Sequence, residues 1–150
     1  MTSIMTSTAP DGGGDSTVPV VSVRPITLSA PDRGEDLRVR VTAPTTGHHL
    51  PVVVFSHGMT LGMDDYAPLA DFWAAHGFVV IQPTHLDSLG LPPDDPRNPY
   101  GYRGTTDDLT GILDQLDAFA AAVPGLAGLI DNDRIAAAGH PWGAQTAGTL

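Results

Sequence analysis

Short apolar runs alternate with clusters of turn-forming residues along the chain, and the spacing of the apolar positions predicts most of its elements. Val18 to Leu28 and Leu37 to Val41 are β-branched stretches separated by Ser-Ala-Pro-Asp-Arg-Gly-Glu-Asp, which predicts an antiparallel hairpin. Pro51 to Ser56 is a continuous apolar run with a glycine close behind it, the pattern of a central strand buried on both faces. From Asp64 the spacing becomes helical, with apolar residues at Tyr66, Leu69, Ala70, Trp73 and Ala74, and it stops at Gly77, placed as a C-terminal cap. Asp64 and Asp65 read as the start of that helix. Phe78 to Ile81 is a second buried strand, and Gln82 to Gly104, with several Pro, Gly and Asp residues, reads as a long loop.

Thr105, with Asp108 three residues on, has the form of a capping box opening a helix whose stripe is Leu109, Ile112, Leu113, Leu116, Phe119, Ala120 and Val123. Pro124 and Gly125 end it. Arg134 to Gly139 is a third strand, followed by Gly139-His140-Pro141-Trp142-Gly143 and the start of a small-residue helix. Strands alternating with helices imply an α/β fold, a mostly parallel sheet with right-handed crossovers and flanking helices, preceded by the antiparallel hairpin. Met1 to Thr17, rich in Ser, Thr, Gly and Asp, lacks the charged and apolar regions of a signal peptide and reads as a disordered leader. Residues 18–150 then form one domain, the amount of core that 150 residues at 41% hydrophobic can build.

Charge narrows the partners. The 17 acidic residues face 7 basic ones, all Arg, and a formal charge of -10 disfavours nucleic acid and anionic membrane surfaces. Without cysteine there is no disulfide and no thiolate metal site, and no run reaches the roughly 18 apolar residues of a membrane span. A soluble chain is expected, with its compartment left open and the cytoplasm favoured. No strand-to-helix turn carries Gly-x-Gly-x-x-Gly or a phosphate-loop Lys, which sets aside a nucleotide binder.

In an open parallel sheet, ligands sit beyond the C-terminal ends of the strands, which here selects Ser56-His57-Gly58-Met59-Thr60, Thr84-His85-Leu86-Asp87-Ser88 and the turn around Pro141. A strand, then Gly-x-x-x-Gly, then a helix is the setting of a nucleophile elbow. Together with Val-Val-Val-Phe-Ser-His-Gly, Ala-Ala-His-Gly-Phe-Val-Val-Ile-Gln-Pro, Arg103 through Leu116 and Asp-Arg-Ile-Ala-Ala-Ala-Gly-His-Pro-Trp-Gly-Ala, this turn resembles the α/β-hydrolase superfamily from about Pro51 to Leu150. The resemblance is to the N-terminal part of that fold, in its platelet-activating-factor acetylhydrolase, chlorophyllase and dienelactone or polyester hydrolase branches.

The resemblance implies a serine carboxylic-ester hydrolase acting on small-molecule esters without cofactor or metal. By position, Pro141 stands where the family has its nucleophilic serine, inside an elbow formed by Gly139, His140 and Gly143. The backbone amides of Met59 and Trp142 correspond to the oxyanion hole, which stabilises the charge that develops on the ester carbonyl during attack. His57, Gly58, Thr60, His85 and Asp87 would line the cleft. Proline offers no nucleophile, and its φ locked near about −65° opposes the positive φ of an elbow, so a rebuilt turn with a displaced Trp142 amide is expected. The family's acid and histidine follow later strands, past Leu150, so the chain is expected to be inactive as written. Its alternatives are a non-catalytic binding module or one half of a split hydrolase. The strand at Ile135 to Ala138 would then be left as an exposed edge calling for a partner.

Other residues have simpler readings. Ser56 and His57 should point to opposite faces of a strand and make a poor nucleophile and base pair. His85 and Asp87 are too few ligands for a strong metal site. His48-His49 reads as a solvated loop pair, Arg103 with Asp107 or Asp108 as a surface ion pair or cap, and Trp73 and Phe119 as core.

Overall fold

The computed structural model describes residues 2–7, 17–30, 36–57, 62–84 and 102–139, without the side chains of 102–107. The elements, in chain order, are β1 (Ser3–Ser7), β2 (Val20–Leu28), β3 (Leu37–Pro44), β4 (Leu50–Ser56), α1 (Ala67–Ala75), β5 (Val79–Thr84), α2 (Tyr102–Asp114), α3 (Leu116–Ala122) and β6 (Ile130–Gly139). The strands form one six-stranded sheet in the order β1-β2-β3-β5-β4-β6.

The predicted hairpin is β2 against β3, with Val23 opposite Val41 and Leu28 opposite Leu37. Its register shifts between Val23 and Ile26, where the Arg24–Pro25 peptide is cis. The parallel part is β5-β4-β6, with Val53 beside Val80 on one side and Ala136 on the other. The antiparallel part is one strand larger than the sequence suggests. Ser3–Ser7, read above as disordered leader, pairs with β2 from Ser3 opposite Arg24 to Ser7 opposite Val20. Serines and threonines flanking Ile4 and Met5 carry no hydrophobic alternation, and what holds them is backbone pairing to the edge of β2, which composition does not report.

Period-two alternation sends the odd-numbered residues of β3 and the even-numbered apolar residues of β4 to one face. There Val39, Val41, Val52, Val54 and Ile81 meet Leu109 and Ile112 of α2 and Phe119 of α3 in the main core, all at most 1% exposed. Each such side chain contributes about 1.5–3 kcal/mol by leaving water. On the other face Phe55 and Val80 pack against Ala70 and Trp73 of α1, and the Phe55 and Trp73 rings meet edge to face.

α1 starts at Ala67, after a turn through Asp64 and Asp65, and ends before Gly77, whose φ of 101° is the left-handed conformation that a C-terminal glycine supplies. Several boundaries differ from the sequence reading: β3 runs on to Pro44 and β6 begins at Ile130 rather than Arg134. β5 runs on through Gln82, Pro83 and Thr84, because Pro83 lies near the strand end, where a missing N–H is tolerated. α2 begins at Tyr102, so Thr105 lies inside the helix rather than at its cap, and Asp108 is buried rather than at the surface. Finally, the single predicted helix breaks at Gln115. Its side-chain amide donates to the Gly111 carbonyl, while its backbone N–H turns to Ile112 instead. A side chain that takes the i−4 carbonyl competes with the backbone, and Gly111 weakens the same turn.

Among the described residues no helix is long and apolar enough to cross a membrane. Among the described residues β6 pairs with β4 alone, and residues 132–137 are exposed, with Ile135 at 40%. The expected bare apolar edge is therefore present among the described residues.

Candidate active site

β4, β5 and β6 run parallel, so their C-terminal ends lie on one side of the sheet. Ser56, the last residue of β4, is the Cα partner of Gly139, the last residue of β6. Neighbouring strands lie about 4.8 Å apart, so the segments leading to Met59 and to Trp142 depart from adjacent points. Each of those two residues stands three positions beyond its paired strand end. Gly58, Met59, Thr60, His85, Asp87, His140, Pro141, Trp142 and Gly143 lie outside the described residues. Of the sequence candidates, His57 and Gly139 are the ones the structure describes.

Ser56 and His57 are consecutive and both buried, at 0% and 3% exposed. Alternation places Ser56 on the face of Val54 and His57 on the face of Phe55, as the strand period requires. The remaining described histidines are remote from the strand ends that carry the site. His48 and His49 precede β4, are exposed, and touch edge to face. His76 follows α1, its Nδ1 donating to the Phe72 carbonyl at 2.7 Å. Among the described residues no three His, Asp or Glu side chains gather as a metal-binding group.

The turn leading into α1 is tied to the sheet at several points that the sequence reading missed. The Met63 amide donates to Thr84 Oγ1 at 3.2 Å, and the Gln82 side-chain amide donates to the Asp65 carbonyl at 2.8 Å. Within the turn, the Gly62 amide donates to Asp65 Oδ2 at 2.7 Å. Arg24 reaches across from β2 to Asp64 at 2.7 Å. Tyr66 is held at φ 63°, a conformation that costs a non-glycine residue roughly 1–3 kcal/mol, with its ring edge to face on Phe55. The signal was present in the alternation of Val80, Gln82 and Thr84, which puts two polar side chains on the α1 face of an otherwise apolar strand.

Beneath this turn lies a buried polar patch. Arg40 of β3, its side chain 7% exposed, donates from Nε to Ser22 Oγ at 2.8 Å and lies 3.8 Å from Asp64 and 3.9 Å from Asp71. Ser22 in turn shares a hydrogen bond with Thr42. Gln82, the cross-strand neighbour of Arg40, is 2% exposed, and its Oε1 has no partner among the described residues.

A family model for chlorophyllase matches residues 13–150, nearly the whole chain. The chain belongs to the chlorophyllase family. Solved structures agree with this family's fold. An esterase from the archaeon Pyrobaculum calidifontis is 28% identical, with a TM-score of 0.56, over 82% of this chain and 36% of its own. A thermophilic carboxylesterase cloned from a metagenomic library is 23% identical, with a TM-score of 0.58, over 84% and 38%. An acetyl xylan esterase from Paenibacillus sp. R4 is 20% identical, with a TM-score of 0.55, over 91% and 45%. The chlorophyllase-family chain thus spans between a third and a half of the length of these esterases. Comparison with curated proteins finds no match.

At the opposite end of the sheet, Arg134 donates from Nε to Asp131 Oδ2 at 2.8 Å and from its terminal nitrogen to the His49 carbonyl, closing the loop before β4 onto β6. The Arg134 hydrogen bond, helped by the Asp133 backbone N–H, holds the Asp131 carboxyl below the usual carboxylate range. A lowered folded pKa means that this contribution is present above the ordinary carboxylate pKa and is lost as pH falls through the lowered one. Asp131→Asn is therefore expected to lower stability slightly at neutral pH and to match the unmodified chain at the acid end of a urea-denaturation series.

Proposed function

We propose that this chain has the architecture of a carboxylic-ester hydrolase of the chlorophyllase family and is catalytically silent with Pro141 at the nucleophile position. The observation that supports this most is the pairing of Ser56 with Gly139. It brings the starts of two segments together at the strand ends, and Met59 and Trp142 follow at equal distance along them. Two amides converging from adjacent strands are the arrangement an oxyanion needs. The esterases that share the fold make a small ester the natural ligand class.

Silence has two sources in this reading. Proline supplies no hydroxyl, and its fixed φ opposes the elbow geometry. His57 is the described histidine nearest Gly139, and strand alternation turns it to the face opposite Ser56. His48, His49 and His76 belong to the other end of the sheet, and His57 is buried beside Ser56. The purified chain and Pro141→Ser are compared with buffer alone on p-nitrophenyl butyrate. Neither is expected to exceed buffer. Turnover by the unmodified chain, lost on substitution of a residue named here, would overturn the silent reading. Rescue by serine would mean that the acid and base are supplied by residues not assigned to those roles here.

The exposed apolar β6 favours a second reading, in which another polypeptide covers Ile135 to Ala138 as a neighbouring strand and the chain serves as a binding module or half of a split hydrolase. Concentration-dependent light scattering is expected for the isolated chain, and Ala137→Lys should reduce it several-fold by placing a charge on the edge. Equal scattering by both proteins would count against it.

A further inference from the structure

We propose that the seam between the sheet and the turn leading into α1 binds an ordered water molecule, held by Arg40, Gln82 and Asp64. The Gln82 side chain is almost wholly buried, and its amide nitrogen is committed to the Asp65 carbonyl at 2.8 Å. Turning the amide over would set two carbonyl oxygens against each other, so Oε1 is fixed as a buried acceptor with no partner among the described residues. Arg40, its cross-strand neighbour, offers the matching donors. Its Nε is used by Ser22 at 2.8 Å, while its terminal nitrogens stand 3.8 Å from Asp64 Oδ1 and 3.9 Å from Asp71 Oδ1, beyond hydrogen-bond length. A polar contact of that span is one that a water can bridge.

The mixture of groups selects the ligand. A bare cation is opposed by the Arg40 guanidinium, and an anion by Gln82 Oε1 and the two carboxylates. A neutral molecule that both donates and accepts suits every group: its oxygen accepts from Arg40, one hydrogen goes to Gln82 Oε1 and the other to Asp64 Oδ1. Asp64 Oδ2 is already held by Arg24 at 2.7 Å, which leaves Oδ1 for this bond. About three such partners is the usual complement of a buried water. The direct bond from Gln82 to the Asp65 carbonyl keeps sheet and turn too close there for a larger guest. Asp64 and Asp71 are about half exposed, so solvent reaches the seam, and Arg40 and Gln82 close its floor.

The test is water-to-protein NOE and ROE spectroscopy on the full chain, read at the Arg40 Nε proton and the Gln82 side-chain amide. A water held in place gives NOE and ROE cross-peaks of opposite sign, whereas fast surface hydration gives the same sign in both. Opposite signs are expected at both positions. Gln82→Met keeps the length of the side chain and removes the acceptor, and the Arg40 cross-peak is expected to vanish with it. The Ser22 hydroxyl, whose proton exchanges with solvent, is the other source of such a signal beside Arg40. Ser22→Ala is therefore expected to leave the Gln82 cross-peak in place. Same-sign cross-peaks in the unmodified chain would overturn the proposal, as would an Arg40 peak unchanged in Gln82→Met or a Gln82 peak lost in Ser22→Ala. Because the signal is read without turnover, the result is independent of whether the chain cleaves esters.

Discussion

Phe119→Ala lowers the unfolding free energy by about 3–5 kcal/mol, the expected loss for truncating a fully buried aromatic that leaves a cavity. Domains of this kind are stable by only about 5–15 kcal/mol, so the variant sits near the edge of folding. The position is exacting because α3 has seven residues and starts directly after the break at Gln115. A helix that short does not persist on its own, so Leu116, Phe119 and Ala120 hold it by packing on the sheet. Behind α3, Leu126 is buried and the Leu129 carbonyl receives the Leu50 amide, so loosening α3 also loosens the approach to β6. Urea denaturation followed by circular dichroism measures the loss. Asp117→Ala, exposed on the same helix, should stay within about 0.5 kcal/mol. A loss below about 1 kcal/mol for Phe119→Ala would mean that α3 does not rest on the core as described.

The second large effect concerns Arg40 and is an ordering rather than a single value. Removing the carboxylates of both Asp64 and Asp71 by alanine leaves a guanidinium that is 7% exposed facing, among the described residues, Ser22 alone. Stranding a buried charge costs about 3–5 kcal/mol, but these carboxylates are about half exposed and 3.8 and 3.9 Å away, so solvent already screens the pairs and about 2 kcal/mol is expected. Adding Arg40→Met to the same variant removes the stranded charge and should recover most of that loss, since Ser22 and Thr42 still satisfy each other. A triple variant less stable than the double one, measured in the same denaturation series, would show that Arg40 acts through packing rather than charge.

Much of this architecture is legible in the residues. The Val-Val-Val-Phe run of β4 and the stripe from Leu109 to Val123 carry the two periods that separate strand from helix, and Gly77 marks the end of α1. What escaped depends on contacts made at a distance. Ser3–Ser7 has no pattern of its own and becomes a strand through pairing with β2. Gln115 looks like any polar helix residue until its amide takes the Gly111 carbonyl. Among the candidate site residues, Gly139 was identified by the glycine spacing and is found opposite Ser56. Gln82 was passed over, and Thr84 was read as loop rather than strand, because Pro83 between them reads as a loop former, although alternation continues through it.

The lopsided strand order bears on how the sheet opens. β4 lies between β5 and β6, whereas β6 is held among the described residues by β4 alone. Elements with few partners and solvent-facing hydrogen bonds detach at a lower free-energy cost than the centre of a sheet. Fluctuations that lift β6 would therefore pull Gly139 away from Ser56 while the β3-β5-β4 centre stays closed. The C-terminal ends of β4 and β6 thus hang from supports of unequal stiffness, and a strand laid along β6 would hold Gly139 against Ser56.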